Sequence, residues 1–308
     1  SWWYLGSSRF TYCRSANFYI FNKFNDMKNI VLLGATGSIG KSCLSVIRQN
    51  KEHFNLFGIG FGSNLDKAQE IVQEFNPEHI FVAQSETDKS NNFWKIYSNT
   101  LGSEDELRGL IQDPNVDIVI SAISGFAGLK ASFFAIEAGK TILLANKESI
   151  VAAGDILMPL AEMKDSEIIP VDSEHNALYQ CLPIERNLNE ISKILITASG
   201  GPFREKSLID LKGVSVDDAL KHPTWSMGAK ITIDSSTLVN KCLELIEAHY
   251  LFNIPEYQIE IVVHPQSIIH SMITFIDGST IAQMSNPSME VPISNALGMG
   301  TRLPINFK

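Results

Sequence analysis

Residues 29–40 read NIVLLGATGSIG and run directly into KSCLSVIRQN. The apolar run at 29–33 predicts a short strand, residues 34–40 form a glycine turn, and the segment after them has a helical pattern. This order places a dinucleotide pyrophosphate at a helix N-terminus. The glycine spacing is G-x-x-G-x-x-G rather than G-x-G-x-x-G, so the pattern is weak without its context.

The context is an alternation of strands and helices along the first half. Further strands are predicted at 56–60, 79–83, 116–122 and 141–145, with helical stretches at 66–75 and 127–138. Such alternation is typical of a parallel sheet covered by helices. The fold class is therefore α/β, with a Rossmann-type doubly wound parallel sheet at 27–150 followed by an α+β domain at 151–308. An α/β domain without a cofactor is the alternative for the first half.

The end of the second strand indicates which dinucleotide is bound. NAD sites usually have Asp or Glu there to bind the ribose 2′-hydroxyl. Here residues 60–64 read GFGSN, and the first acid is Asp66. Ser63 and Asn64 are able to donate hydrogen bonds to a 2′-phosphate, so we predict NADP. No Arg or Lys lies in the turn, and Lys67 is the nearest cation.

Composition limits the kinds of partner. The chain has 308 residues, 44% of them hydrophobic, and a formal net charge of −9. A negative protein disfavours nucleic acid and anionic membranes, and no apolar run approaches the roughly 20 residues that span a bilayer. We predict no nucleic-acid partner and no membrane partner, and we expect an anionic substrate to meet a local positive pocket.

The cysteines and the N-terminus indicate the compartment. The cysteines show neither close pairing nor metal-ligand spacing, which favours a reducing compartment; they are Cys13, Cys43, Cys181 and Cys242. We predict a cytoplasmic location, or a plastid location for a eukaryotic source. Residues 1–26 are rich in aromatics and Ser and begin without Met, so we interpret them as a non-native or disordered extension and Met27 as the natural start. A transit peptide is the alternative.

Carboxylates in the second half suit a metal. Residues i and i+2 of an extended segment project to one side, so Asp172 and Glu174 at a strand end are predicted to face one cation, while Ser173 points elsewhere. If Ser235 caps a helix that runs to about residue 252, Glu244 lies on the same helical face as Asn240, one turn away. Oxygen ligands with open positions suit Mg²⁺ or Mn²⁺. A solvated charged face is the alternative for this helix.

Three further segments are candidates for ligand contact. Lys147 follows a strand at the carboxyl edge of the sheet and is placed to polarise a substrate oxygen, although a surface lysine is the commoner case. The turn at 199–202, SGGP, offers a hydroxyl and backbone N–H groups to a phosphate. Residues 222–228, HPTWSMG, suit a loop that closes over a ligand, although Trp225 and Met227 alone more often pack in a core.

The last part of the chain predicts a second sheet. Strands are expected at 194–198, 259–264, 268–276 and 280–284, with a tight turn at Asp277-Gly278 between the last two. This sheet is expected to pack against the helix that carries Glu244.

Six motifs stand in the order and spacing found in the 1-deoxy-D-xylulose-5-phosphate reductoisomerase family. They are GATGSIG, LLANKESIVAAG, PVDSEHNAL, TASGGPF, HPTWSMGAKITIDSSTLVNK and HPQSIIHSM. The resemblance runs from Met27 to about Pro304. It implies that the α+β domain at 151–308 is the catalytic domain, which binds the metal and the substrate. It implies an enzyme that rearranges a sugar phosphate, 1-deoxy-D-xylulose 5-phosphate, and reduces the product with NADPH to 2-C-methyl-D-erythritol 4-phosphate. It also implies one divalent metal (Mg²⁺, Mn²⁺ or Co²⁺), a place in non-mevalonate isoprenoid biosynthesis, and a homodimer when full length.

The resemblance also implies residue roles. The residues for NADPH are Thr36, Gly37, Ser38, Ile39, Gly62, Ser63, Asn64, Asn146, Glu148 and Gly228. The residues for the metal are Asp172, Glu174 and Glu244. The catalytic residues are Lys147, Ser173, Glu174 and His222. The substrate-binding residues are Ser173, Glu174, Ser199, His222, Trp225, Met227, Ser235, Asn240, Lys241 and Glu244.

The chain departs from the family pattern in three places. Ser63 stands where Lys is common, and Cys242 stands where Gly is frequent. The family carries a C-terminal helical domain, and this chain stops at Lys308, before such a domain. We therefore interpret the chain as a fragment that is less stable than the full-length enzyme. The alternatives are another NADP-dependent dehydrogenase, of the semialdehyde or homoserine type, and a nucleotide-binding regulatory protein or inactive fragment.

Overall fold

The structure is a computed structural model, and it describes residues 26–83, 100–183, 187–207, 209–221 and 228–306. The predicted extension lies outside these ranges apart from Asp26. Three of the predicted site residues also lie outside the described residues, namely His222, Trp225 and Met227. In the ranges described, no helix is both long and apolar enough to cross a membrane.

The first sheet has seven strands in the order β4-β3-β2-β1-β5-β6-β7, and all neighbours are parallel. Its strands are β1 (Lys28–Leu33), β2 (Phe54–Phe61), β3 (His79–Val82), β4 (Thr100–Leu101), β5 (Ile118–Ser121), β6 (Thr141–Leu144) and β7 (Ile168–Pro170). The helices between them are α1 (Ser38–Gln49), α2 (Leu65–Phe75), α3 (Glu104–Gln112), α4 (Leu129–Glu137) and α5 (Lys147–Lys164).

This sheet is the predicted doubly wound sheet. Alternate residues of β1 pack into apolar layers on its two faces, with Ile30 and Leu32 in one layer and Val31 and Leu33 in the other. Burial on both faces explains why the strands read as continuous apolar runs. The strand order reverses between β1 and β5, which opens a crevice at their carboxyl ends where ligands of such sheets bind.

The boundary predicted at residue 150 crosses a helix. Residue 150 lies inside α5, and β7 joins the first sheet after it. The sequence indicates β7 only as the strand expected before Asp172 and does not indicate β4; these strands have only three and two residues. A division after β7 describes the first sheet better than one at 150.

The second sheet has the order β11-β10-β8-β9. Its strands are β8 (Ile191–Ala198), β9 (Ile259–Val263), β10 (Ile269–Phe275) and β11 (Thr280–Met284). The predicted hairpin turn is confirmed between β10 and β11, where Gly278 has a φ of +84°. The remaining helices are α6 (Ser173–Cys181), α7 (Val216–Ala219), α8 (Ala229–Ser236), α9 (Val239–Phe252) and α10 (Glu290–Gly298).

Helices α6 and α9 pack on this second sheet. Leu178 of α6 and Phe252 of α9 share an apolar cluster with Ile194 and Ile273 from the strands. The expectation that the helix bearing Glu244 packs on the sheet is therefore confirmed. At the other end of the domain, Leu297 of α10 is buried in the core of the first sheet, which ties the end of the chain to the nucleotide half.

One predicted helix start is wrong. Ser235 does not cap the helix that carries Glu244, because it lies in α8, which ends at Ser236. The chain then turns at Leu238, whose φ is +62°, and α9 begins at Val239. A left-handed residue interrupts the helical hydrogen bonds, so one expected helix is two.

Candidate active site

A cavity lies where the carboxyl edge of the first sheet meets α6, α8 and α9. Its walls contain most of the predicted substrate, metal and catalytic residues that the structure describes. The lining residues are Ser38, Ile39, Ala145, Lys147, Asp172, Ser173, Glu174, Thr197, Ser199, Ile231, Ser235, Asn240, Lys241, Glu244, Ser267, His270 and Met289.

The glycine turn after β1 leads into the start of α1, where Ser38 and Ile39 line the cavity. Gly34 has a φ of +88°, and a Cβ added there would lie 2.3 Å from the Ala122 carbonyl oxygen, so this position requires glycine. Helix α1 begins at Ser38, after Gly37 as its N-cap, and has no acidic residue in its first turn. Its N-terminus is therefore suited to a phosphate.

The end of β2 is open to solvent. Gly62, Ser63 and Asn64 are exposed, and none of them lines the cavity. Asn64 caps α2, since its Oδ1 accepts a hydrogen bond of 3.2 Å from the Lys67 amide. Strand β2 ends at Phe61 without a carboxylate, as the sequence shows.

The side chain of Asn146 is fully engaged with the protein. Its Nδ2 donates to the carbonyl oxygens of Ile123 and Gly125, both at 2.7 Å, and lies 3.1 Å from Glu148 Oε2. Its Oδ1 accepts from the Ser149 amide at 3.0 Å and caps α5. The amide therefore organises the turn after β5, which borders the crevice, and contact with NADPH stays a prediction for this residue.

Glu148 and Gly228, also predicted for NADPH, stand at two helix ends outside the cavity lining. Glu148 Oε1 lies 2.6 Å from the Nζ of Lys230, which joins α5 to α8. Gly228 is the exposed N-cap residue of α8. Thr36 and Gly37 belong to the glycine turn and likewise do not line the cavity.

Asp172 and Glu174 converge in a different way from the one predicted. Asp172 is the N-cap of α6 rather than part of a strand, and its Oδ1 accepts from the Glu174 amide at 3.2 Å. Aspartate is a preferred N-cap because its carboxylate binds the first free amides of a helix. Asp172, Glu174 and Glu244 still approach closely, with one oxygen from each within 4.8 Å of the others.

Two buried lysines lie among these carboxylates. Lys147 Nζ is 2.6 Å from Asp172 Oδ2 and 2.9 Å from Glu244 Oε1, and it donates to Asn240 Oδ1 at 3.0 Å. Lys241 Nζ is 2.6 Å from Glu244 Oε2 and also contacts Glu174. Lys147, Lys241 and Glu244 are buried, so neither a surface lysine nor a solvated helical face describes this site.

Burial and neighbouring charges shift the pKa values of this cluster. Burial opposes the charge on Asp172, but the Lys147 ammonium outweighs it and holds the carboxyl pKa well below its usual value. Burial likewise lowers the pKa of Lys147, yet the carboxylates of Asp172 and Glu244 hold it well above its usual range. Burial and the Glu244 carboxylate raise the pKa of Glu174 to about 7. The Glu174 carboxyl therefore changes its charge near neutral pH.

The predicted phosphate end is assembled from two segments. Gly201 has a φ of +70°, and a Cβ added there would lie 2.5 Å from the Ser235 carbonyl oxygen. This close approach brings the turn after β8 against the end of α8. Ser199 and Ser235 consequently line the same cavity as Asn240 and Lys241.

Several lining residues were not assigned from the sequence. His270 lies inside the quoted motif HPQSIIHSM, so the motif contained a signal for it; burial lowers its pKa, and its Nε2 lies 3.2 Å from the Ser285 carbonyl oxygen. Thr197 precedes the SGGP turn by two positions and reaches the cavity from β8. Ser267 and Met289 lie in connecting segments, and no local pattern predicts their position.

The fold and the cavity together define a Rossmann-type oxidoreductase with a carboxylate and lysine centre beside its nucleotide crevice. Family models agree with this class and narrow it. The model for 1-deoxy-D-xylulose 5-phosphate reductoisomerase matches residues 30–154, and the model for the C-terminal domain of that enzyme matches residues 168–252. The chain belongs to the 1-deoxy-D-xylulose 5-phosphate reductoisomerase family, which confirms the resemblance.

Individual relatives support the same family. The 1-deoxy-D-xylulose 5-phosphate reductoisomerase of Bacillus subtilis (strain 168) is 49% identical over 282 residues, and the match covers 91% of this chain and 73% of the relative. The enzyme of Pelotomaculum thermopropionicum is also 49% identical, over 286 residues, with the same two shares covered.

Solved structures show the same relation. A DOX-P reductoisomerase in complex with NADPH, fosmidomycin and magnesium is 41% identical and has a TM-score of 0.85, covering 90% of this chain and 71% of its own. The enzyme from Zymomonas mobilis in complex with NADPH is 38% identical with a TM-score of 0.84, covering 92% and 73%. An archaeal homoserine dehydrogenase has a TM-score of 0.53 at 14% identity, which indicates a shared fold only.

Proposed function

We propose that this chain converts 1-deoxy-D-xylulose 5-phosphate to 2-C-methyl-D-erythritol 4-phosphate, with NADPH as reductant and one divalent cation, Mg²⁺, Mn²⁺ or Co²⁺. The reaction belongs to non-mevalonate isoprenoid biosynthesis. The observation that carries the proposal is the convergence of Asp172, Glu174 and Glu244 in a cavity that also contains the N-terminus of α1. A solved relative binds NADPH and magnesium, which supports both cofactors.

The donor set of this cluster fits a hard divalent cation. Asp172, Glu174 and Glu244 offer carboxylate oxygens, the ligands that Mg²⁺ and Mn²⁺ prefer. A cation bound there would stabilise the negative charge that develops on substrate oxygens during the rearrangement. Glu244 lines the cavity and is buried, which restricts the movement of its carboxylate.

The chain's own side chains position the reacting end of the substrate. Lys147 Nζ is held among Asp172, Glu244 and Asn240, and the neighbouring carboxylates keep it protonated, so a fixed positive charge lines the cavity. Ser173 Oγ donates to Glu174 Oε2 at 2.5 Å and lies at the same edge. These contacts exclude free rotation, and fixed geometry lowers the entropic cost of reaching the transition state.

The phosphate end of the substrate is proposed to bind Ser199, Ser235, Asn240 and Lys241. These residues line the cavity and offer hydroxyl, amide and ammonium donors, with Asn240 and Lys241 next to the carboxylate cluster. Binding energy from a phosphate remote from the reacting carbons orients the carbon skeleton. His222 is proposed as a further phosphate ligand, and Trp225 and Met227 as the closing flap, although these three lie outside the described residues.

NADPH is proposed to lie along the crevice between β1 and β5. Its pyrophosphate would contact the turn and the first residues of α1, namely Thr36, Gly37, Ser38 and Ile39. Gly62, Ser63 and Asn64 would accommodate the 2′-phosphate, because no carboxylate ends β2. Asn146, Glu148 and Gly228 would complete the site at the nicotinamide end.

We further propose a cytoplasmic homodimer, with a plastid location as the alternative for a eukaryotic source. Exposed apolar side chains on the two edge strands of the second sheet support self-association, with Ile261 and Val263 on β9 and Ile281 and Met284 on β11. Light scattering during size-exclusion chromatography would test the dimer, and a monomer at micromolar concentration would contradict it.

Turnover tests the proposed reaction. NADPH oxidation is followed with 1-deoxy-D-xylulose 5-phosphate, with and without EDTA. We expect oxidation that EDTA abolishes and that added Mn²⁺ restores. EDTA-insensitive oxidation, or turnover of homoserine or an aspartate semialdehyde instead, would support the dehydrogenase alternative.

A further inference from the structure

Glu247 is a buried carboxylate next to the carboxylate cluster, and none of the roles above uses it. It lies on α9, three positions after Glu244, and is 0% exposed. Neither of its oxygens accepts a hydrogen bond within the described part of the chain. A buried carboxylate without such bonds is costly, so its position requires a compensating interaction.

The imidazole of His175, on α6, is the basic group in contact with Glu247. Its Nδ1 lies 3.3 Å from Glu247 Oε2 and 3.2 Å from Asp172 Oδ1. Its Nε2 donates to the backbone carbonyl oxygen of Glu244 at 2.8 Å. The ring also stacks on Phe252, with centroids 6.2 Å apart and planes inclined by 11°. The imidazole is thus held on its edges and on one face.

These contacts give the two oxygens of Asp172 different surroundings. Oδ1 accepts from the Glu174 amide and faces His175, whereas Oδ2 lies 2.6 Å from the Nζ of Lys147, a residue of the cavity lining. Rotation of the carboxylate would exchange these oxygens. His175 opposes that rotation only while its own ring is fixed, and Glu247 is the side chain that faces its Nδ1 from α9.

We propose that Glu247 is a positioning residue for the metal site: through His175 it fixes Asp172 so that Oδ2 points into the cavity. The inference rests on the proposed metal site. Outer carboxylates that orient a residue in contact with a metal typically affect metal affinity by about 10- to 100-fold. The competing possibility is a second cation held by Asp172, His175 and Glu247 themselves, whose ligand atoms also lie within 4.8 Å of one another.

The test is a titration of the chain with Mn²⁺, followed by the electron paramagnetic resonance signal of the free ion. Glu247→Gln keeps the shape of the side chain and removes its charge. We expect about a 10-fold or greater rise in the Mn²⁺ dissociation constant and an unchanged NADPH dissociation constant. A residue with a purely structural role would instead lower the melting temperature and leave Mn²⁺ affinity unchanged.

Two reference variants make the outcome decisive. Leu178→Val loosens the packing of α6 without touching a polar group, and it should lower the melting temperature but not Mn²⁺ affinity. Glu174→Gln removes a proposed metal ligand. If Glu174→Gln weakens Mn²⁺ binding while Glu247→Gln does not, the positioning role is overturned and the metal site stands. If neither variant weakens binding, the proposed metal site fails as well. Two Mn²⁺ ions per parent chain would overturn the positioning role in favour of a second site.

Discussion

Lys147 Nζ lies 2.6 Å from Asp172 Oδ2, and this contact joins the ends of two neighbouring strands of the first sheet. Lys147 follows β6, and Asp172 follows β7. Because Lys147 also reaches Glu244 on α9, at 2.9 Å, the nucleotide-type sheet and the helices of the second half meet at one buried ionic centre. The geometry of the candidate active site therefore depends on contacts between the two halves of the chain.

Glu174→Gln should abolish metal-dependent turnover and leave NADPH affinity nearly unchanged. The amide is a neutral and weaker ligand for a hard cation, whereas the cofactor phosphates are expected at the glycine turn. The measurements are turnover with saturating Mg²⁺ and a fluorescence titration with NADPH. Near-normal turnover would remove Glu174 from the metal site.

The three proposed metal ligands should act as a unit. Asp172→Asn, Glu174→Gln and Glu244→Gln are each expected to remove most of the activity, and the double variants should lose far less than the product of the single losses. Turnover of the singles and doubles under identical conditions checks this. Additive losses would show that the three carboxylates serve separate purposes.

NADPH should bind more tightly than NADH, because no carboxylate ends β2 to select a free 2′-hydroxyl. Ser63→Lys should widen the difference, since an ammonium next to a dianionic phosphate adds a charge-assisted hydrogen bond. Fluorescence titrations of the parent and the variant with both cofactors measure the effect. Equal or tighter binding of NADH by the parent chain would contradict it.

Asn146→Asp should weaken NADPH binding by about 10-fold, because a carboxylate would then face the carbonyl oxygens of Ile123 and Gly125 in place of a donor. Ser149→Ala is the matched control, since it removes a hydroxyl that contacts Asn146 Oδ1 and Ser132 Oγ and keeps the Asn146 amide group. The control should retain the parent NADPH dissociation constant. An unchanged constant for Asn146→Asp would show that the turn after β5 does not depend on this amide.

Mn²⁺ affinity should fall as the pH falls through about 7. Burial and the neighbouring Glu244 raise the pKa of Glu174 to about 7, so below that pH its carboxyl carries a proton that must leave before it ligates a cation. Calorimetric titrations at about pH 6 and about pH 8 should show weaker binding and more proton release at the lower pH. Equal affinity at both values would contradict this assignment.

Local patterns predicted the first sheet well, because the apolar run of β1 and the glycine turn lie within a few residues of each other and form one recognisable pattern. The positions of Asp172 and Ser235 were less predictable. Asp172 caps a helix where an extended segment was expected, and the left-handed Leu238 places Ser235 in a separate helix. Met289 reaches the cavity from a distant segment by tertiary packing alone, for which no short pattern exists. The family motifs, and not hydrophobic periodicity, predicted that the metal and substrate residues belong to one site.

The most direct measurement is an anomalous difference map from crystals grown with NADPH and Mn²⁺, recorded near the manganese absorption edge. We expect one peak in the cavity, within about 2.0–2.3 Å of carboxylate oxygens from Asp172, Glu174 and Glu244. A peak held by other residues, or no peak in the cavity at saturating Mn²⁺, would contradict the assignment of these three carboxylates to the metal.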